Sequence, residues 1–547
     1  MDEKNIRKIA LSNAVEHGGK AEVNSVLGKM IAADPKVKPM IRELMPEIQK
    51  IVAEVNSMDP QSQSSQLGSS GYKKEAHKEE DGGLPELPGA KKGKVVTAFP
   101  PEPSKYPHLG HAKSALINHE YAKLYNGKFI LRFEDSNPDI AKKEYYDAIV
   151  DGLSWLGIKW DSLDYLSDHM EEYYGSIEKL LKNRDAYVCT CEQEKIKRLR
   201  VEGTGCEHRV SSVQTNMDLW KRMLKDMSRG EATVRMKIDM SSANMTLRDP
   251  SIARIIDKPH PRTKKKYRVW PMYDLGTSML DAWEKVTHRV RTKEFELRKD
   301  LQDHILKSLG HRSPYITEIG RFEVKDAITQ GREIREGIER KIFLGWDDPR
   351  LLTLIALRRR GFVPEAIRNF LLSTGVTKNE SVYEWQVIES FNRKVIDPVS
   401  ERFFAVMNPV KCSIEGLPTG KISIPVMPGS KKIREIVIKT NEVFLEKDDV
   451  DGMKDMKAGL MFLCTANFGG LRRFVSKDIS QETPKIHWVP GPGVKIKIVM
   501  PDGTIRGGVA ESAVKKLKVG QSIQFYRVGF CRVDRLGKEP VFYFSHK

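Results

Sequence analysis

The chain has 547 residues, with 92 lysines and arginines against 74 acidic residues and a formal charge of +18. That length allows three or four domains with real cores, and that charge favours a polyanionic partner, nucleic acid ahead of an anionic membrane surface. No apolar run approaches the roughly 20 residues that cross a bilayer, and six cysteines in so long a chain make no disulfide framework.

Residues 1–57 read as a helical domain, because Ile6, Ile9, Ala10 and Ala14, then Ile41, Leu44, Ile48, Ile51 and Val55 recur at three-to-four spacing. The opening MDEKNIRKIALSNAVEHGGK is too charged for a secretory signal, so a cytoplasmic protein is expected. Residues 58–91 turn Ser/Gln/Gly-rich and then densely charged, a composition that buries little apolar surface and predicts a flexible linker. KVVTAFP follows as a strand, a turn carrying His108 and His111 comes next, and Leu116, Ile117, Tyr121, Leu124 and Tyr125 mark a helix. Gly127 closes that helix and KFILRFED is a second strand, so a parallel α/β sheet is expected over 92–345. Within it, residues 186–255 are polar and cysteine-bearing and read as an insertion. Residues 346–399 are helical and basic. From 400 to 547 short β runs dominate, with Asp502-Gly503 as a hairpin turn, and β-barrel domains are expected.

Two constellations carry chemistry. Two imidazoles at a helix N-terminus can bond phosphate oxygens beside unpaired backbone N–H groups, although H-x-x-H alone more often marks a structural turn or a metal pair. Cys189, Cys191, Cys206 and His208, spaced C-x-C and C-x-H, supply four ligands suited to structural tetrahedral zinc, with buried free thiols as the alternative.

FPPEPSKYPHLGHAKS resembles the segment RFPPEPSGYLHIGHAKA of cytosolic glutamyl- and glutaminyl-tRNA synthetases. LRFEDSNP, IIDKPHPRTKKKYRVWPMYDL, VTHRVRTKEF, GWDDPRLLTLIALRRRGF and ESFNRKVIDPV are similar to further phrases of that family, in family order across most of residues 92–410. The resemblance is to glutamyl-tRNA synthetases of archaeal and eukaryotic type. It implies a class I Rossmann-type catalytic domain over 92–345, an acceptor-binding zinc insertion at 186–255, a tRNA stem-contact region at 346–399 and an anticodon-binding region at 400–547. It further implies ATP with Mg²⁺, glutamate, the glutamate tRNA and, as an open alternative, the glutamine tRNA, with a monomer expected.

By the same resemblance His108, Gly110 and His111 hold ATP, and Glu134 takes the substrate ammonium, with a salt bridge to Arg132 or a lysine as the alternative. Tyr273 contacts the substrate side chain or belongs to the core. Arg291, where glutaminyl enzymes carry cysteine, complements a substrate carboxylate or pairs with Glu294 or Asp281. Arg358, Arg359 and Arg360 are candidates for tRNA phosphates.

The pattern breaks at four places. Ala98 replaces a family arginine that contacts substrate carboxylate, Lys105 a glycine, and Pro107 a leucine. In VKDAITQGREIREGIE, Glu333 stands where a second signature loop carries the lysine that stabilises pyrophosphate. Arg332, Lys325 or Lys105 is the candidate replacement cation, with Arg332 assigned the catalytic role. Two functions follow: an active glutamate–tRNA ligase, or a tRNA-binding paralogue with impaired or redirected catalysis.

Overall fold

The helical spacing of the first segment builds helices at Glu3–Glu16, Val23–Ala33, Ile41–Asn56 and Pro60–Ser69. The structure is a computed structural model that describes residues 3–16, 19–33, 41–69, 84–453 and 456–547. Residues 1–83 and 84–547 are two separate compact units. In the first, Ile6, Ala10, Ala14, Ile48, Ile51 and Val55 are buried on the apolar stripe that the spacing predicted.

The linker reading holds less of its range than expected. Residues 60–69 are a helix, and Gln63 within it is fully buried, its amide donating to Val55 O at 2.8 Å and Gly19 O at 3.0 Å. A Ser/Gln-rich helix with one apolar anchor, Leu67, hides from a hydrophobicity count, because its attachment is by hydrogen bonds. The rest of the charged stretch to residue 83 lies outside the described residues.

In the second unit the parallel sheet forms as expected. Val96–Phe99, Lys128–Phe133 and Ser162–Tyr165 pair in that order, in parallel, with Ala98 opposite Ile130. The Leu109–Leu124 helix is the crossover between the first two, burying Leu116, Ile117 and Tyr121. His288–Thr292 and Tyr315–Ile319 form a second parallel pair. It lies beside the first, because Thr287 N donates to Val96 O at 3.0 Å and Val96 N to Thr287 Oγ1 at 2.8 Å. Strands that carry residues on both faces into packed layers read as near-continuous apolar runs, which is what KVVTAFP and KFILRF show.

The insertion is a four-stranded antiparallel sheet, Ala186–Cys189, Thr233–Met236, Ser251–Ile255 and Val269–Pro271, with the Gln193–Glu202 and Val213–Lys225 helices between its first two strands. The basic segment supplies the Leu354–Arg360, Pro364–Ser373 and Trp385–Ile396 helices. Leu354, Leu357, Ile367 and Phe370 share a core with Leu116 and Phe133.

The C-terminal region is sheet-rich as expected, but among the described residues no sheet closes into a barrel. Its seven-stranded sheet has Glu401–Phe403 at one edge and Ala405–Val406 at the other. Those edges are consecutive pieces of one chain, so the sheet curls until its ends are joined covalently through Phe404. Glu401–Phe403 pairs with Ser522–Phe525 in parallel, and Ala405–Val406 with Ile505–Ala510 antiparallel.

Candidate active site

The turn before the Leu109–Leu124 helix is capped by its own histidines. His108 is the N-cap, in extended backbone, and its Nδ1 accepts from Gly110 N at 3.0 Å. His111 Nδ1 accepts in turn from His108 N at 3.3 Å, a reciprocal capping box made of two imidazoles. A ring whose Nδ1 accepts carries its proton on Nε2, so both rings are fixed as donors at the far nitrogen. Burial depresses both: His108 lies well below the ordinary value, and His111 falls to about 3, with the charge of Lys105 adding to the effect. Two neutral side-chain N–H donors therefore stand at a helix start whose own backbone donors are already used, Leu109 N on Leu352 O at 3.3 Å and Gly110 N on His108 Nδ1. Gly110 is required there, because a Cβ would stand 2.8 Å from His108 Cε1. Pro107 fits without loss: its carbonyl accepts from Leu354 N at 2.8 Å, which ties the turn to the basic helical region.

These histidines line a cleft of about 840 Å³ that also takes in Glu134, Tyr273, Arg289, Arg291, Lys105 and Glu333. Glu134 is buried, and its Oε1 has no hydrogen-bond donor among the described residues. Arg132 stands 3.7 Å away, but its closer ion pairs, both at 2.7 Å, are with Asp281 and Glu284. Burial pushes the Glu134 carboxyl up and Arg132 offsets this; a buried carboxylate oxygen without a donor invites a cation. Tyr273 begins the Tyr273–Trp283 helix and stands near Glu134, Arg289 and Arg291, its ring 5.1 Å from that of Phe295. Arg291 pairs with neither Glu294 nor Asp281. It donates to Gln302 Oε1 at 2.7 Å and to Phe295 O at 3.1 Å.

The far wall is the TQGRE loop, and here one expectation is corrected. Arg332 does not reach the cleft: its side chain is 86% exposed and pairs with Glu336 at 2.8 Å. The Gly331–Glu339 helix starts at this point, and its phase turns Glu333 to the cleft and Arg332 to solvent. Lys325 is equally removed, bonded to Glu384 at 3.0 Å. Lys105 is the candidate that arrives. Its stem lies over Gly331, where a Cβ would stand 2.8 Å from Lys105 Cδ, and its ammonium is 3.4 Å from Thr329 O. Lys105, one departure from the family pattern, thus touches the loop that carries another. Behind them Lys113, buried over the Phe322 ring, has its pKa lowered by burial to about 8. Sequence reasoning passed over Lys113 and Arg289; a lysine one turn into a helix and an R-x-R strand, each at a pocket rim, were the available signals.

The four metal-ligand candidates do come together, with all four ligand atoms within 4.8 Å of one another. Cys189 Sγ is 3.8 Å from Cys206 Sγ and 4.0 Å from His208 Nδ1, while Cys191 Sγ is 3.4 Å from His208 Nδ1. Ligands about 2.3 Å from a tetrahedral centre would be spaced in this way. His208 Nε2 is held by Thr190 Oγ1 at 2.9 Å, leaving Nδ1 for a metal, and Arg235 directs Nη1 at both Cys189 and Cys206 sulfurs.

Each arginine of the basic run already has an acidic partner. Arg358 pairs with Asp151, Arg359 with Asp347 and Asp534, and Arg360 is buried against Ser545 O and Glu389. The three arginines are bolts between the helical region, the α/β layer and the C-terminal sheet. In the C-terminal region Trp488 and Phe525 are core, while Arg527, paired with Asp449, lines a cavity of about 610 Å³ with His487 and Arg506.

Residues 94–398 match the catalytic domain of the class I tRNA synthetases (E and Q). Residues 400–483 and 485–534 match the two anticodon-binding domains of the same group. The chain is 38% identical over 577 residues to the glutamate–tRNA ligase of Pyrococcus abyssi, covering 99% of each chain. It is 40% identical to those of Korarchaeum cryptofilum, with 99% of each chain covered, and Nitrosopumilus maritimus, with 100% of each covered.

Proposed function

Since the chain belongs to the class I tRNA synthetases for glutamate and glutamine, we propose that it is a working glutamate–tRNA ligase of archaeal type. The ligase joins glutamate to tRNA at the expense of ATP. The carboxylate of glutamate attacks the α-phosphorus, pyrophosphate leaves, and the tRNA terminal ribose hydroxyl then displaces AMP from the adenylate. The observation that carries this reading is the intact pair of neutral donors at His108 and His111, lining one cleft with the buried carboxylate of Glu134.

In this reading both Nε2–H groups donate to phosphate oxygens, and these hydrogen bonds strengthen as charge builds in the transition state. Mg²⁺ enters with the triphosphate and screens its charge. Glu134 takes the substrate ammonium, and Arg291 and Tyr273 take its side chain. The anticodon-binding region and the zinc insertion hold tRNA, whose glutamine isoacceptor is the second acceptor to assay. A cytoplasmic monomer goes with this reading.

The alternative is a tRNA-binding paralogue with redirected chemistry, and Glu333 at the cleft wall is the observation that favours it. Charging of purified tRNA with labelled glutamate, in the presence of ATP and Mg²⁺, decides between them. Glutamyl-tRNA formation supports the ligase, and tRNA binding without charging supports the paralogue.

Zinc is the structural metal that the Cys189, Cys191, Cys206 and His208 set fits best, since thiolates and imidazole at this spacing favour it. We expect one zinc per chain by elemental analysis, lost in Cys206→Ser together with part of the thermal stability. A metal-free wild type with unchanged melting would contradict the assignment.

A further inference from the structure

We infer that Arg289, a residue no family motif assigns, is a second substrate-binding arginine, and that Gln302 positions it together with Arg291. The inference rests on the reading of glutamate as substrate. Along His288–Thr292 the side chains alternate. Val290 packs with Ile117 and Tyr121 of the crossover helix, which sends Arg289 and Arg291 to the opposite side, into the cleft.

Gln302, buried on the Lys299–Leu309 helix, is their common partner. Its Oε1 accepts from Arg289 Nη1 at 3.0 Å and from Arg291 Nη1 at 2.7 Å. Its amide orientation is set from behind, because Nε2 donates to Asp274 Oδ1 at 3.1 Å, and Asp274 is held by Arg298. Arg289 also pairs with Asp281, which Arg132 shares. Arg291 has no carboxylate partner among the described residues. The neutral oxygen bridging the two guanidinium groups leaves the charge of Arg291 without a carboxylate. The Nε atoms of both arginines are buried without an acceptor.

The location of Arg289 is as informative as its bonds. Thr97 Oγ1 donates to Asn118 O, and Asn118 also bonds Val290 O, so both strands turn these residues to the same helix. Ala98 and Arg289 therefore point together to the other side, from neighbouring strands. Ala98 itself is buried there against Ile130 and Val286. The guanidinium missing from one strand is supplied by the next, and the anion it meets is a carboxylate of the amino acid, gripped by a pair of arginines.

The test is Gln302→Glu. The exchange keeps size and adds a carboxylate between the two arginines, so the fold is expected to be as stable as wild type or more so. The internal carboxylate competes with the substrate. The KM for glutamate rises by about 10–100-fold, the scale of hydrogen bonds to charged groups, with the KM for ATP unchanged. A purely structural glutamine would leave glutamate KM alone. Arg289→Lys, which keeps the charge and loses the fork, is expected to raise glutamate KM in the same sense. An unchanged glutamate KM in both variants overturns the inference. Equilibrium binding of labelled glutamate separates this from the ligase reading. Binding by wild type that Gln302→Glu weakens, with no charging, retires the ligase and leaves the arginine pair standing. Absence of glutamate binding by wild type overturns the pair.

Discussion

Lys105→Met lowers the rate of glutamyl-tRNA formation by about 10²–10³-fold, the usual loss when one electrostatic contact to a developing oxyanion is removed, with little change in glutamate KM. A triphosphate losing pyrophosphate needs cations at the leaving end. On the loop side of this cleft the structure offers Glu333, which repels, while Arg332 and Lys325 are committed to Glu336 and Glu384. Lys105 crosses from the opposite wall, over Gly331, to within 3.4 Å of a loop carbonyl. No carboxylate among the described residues pairs with it. Burial lowers its pKa and the nearby Glu102 pulls it back, so an incoming polyanion restores its full charge. The double variant Lys105→Met with Glu333→Lys is expected to regain part of the loss, because the charge returns from the loop side. Gly331→Ala serves as an independent check, since the added methyl displaces the Lys105 stem. Wild-type rates in Lys105→Met would show that the loop solves the problem with other groups.

His111→Ala is expected to cost a further 10²–10³-fold, roughly, in kcat for the same reason, and the pH behaviour of the wild type identifies the cause. Its folded pKa is about 3, far below the ordinary 6.5, and His108 is depressed likewise. The neutral donor is therefore fully present above pH 6.5 and is lost only as pH falls toward 3, so no histidine limb interrupts the rate between pH 6 and 8. The sign for stability is the same: the unfolded chain binds protons first, so stability declines as pH drops below about 6.5. An acidic limb near pH 6.5 that disappears in His111→Asn would show that a charged imidazole takes part instead.

The sequence reading reached far where chemistry is local in the chain. The C-x-C and C-x-H spacing located four ligands that do converge, and the turn at His108–His111 announced a helix start. It failed where a role depends on helical phase or on a partner remote in sequence. Arg332 and Glu333 are adjacent letters, yet the first turn of one helix puts only the second on the cleft wall. Arg358, Arg359 and Arg360 looked like a phosphate surface, until Asp151, Asp534 and Glu389 filled them from outside the segment. The exchange of Ala98 for Arg289 is invisible in sequence, because only the sheet brings positions 191 residues apart side by side. The unfinished barrel had the same origin: β runs and turns count strands, but edges are decided by which strands meet.

The central claim is that this cleft activates glutamate although its second signature loop carries a carboxylate. The direct test is glutamylation of total tRNA by the wild-type protein beside Glu333→Lys, with ATP and Mg²⁺, under identical conditions. A working ligase charges tRNA as wild type, and Glu333→Lys gives at most a modest gain because Lys105 already supplies the charge. No charging by the wild type, with activity appearing only in Glu333→Lys, would contradict the account and identify a tRNA-binding relative whose catalysis has been switched off.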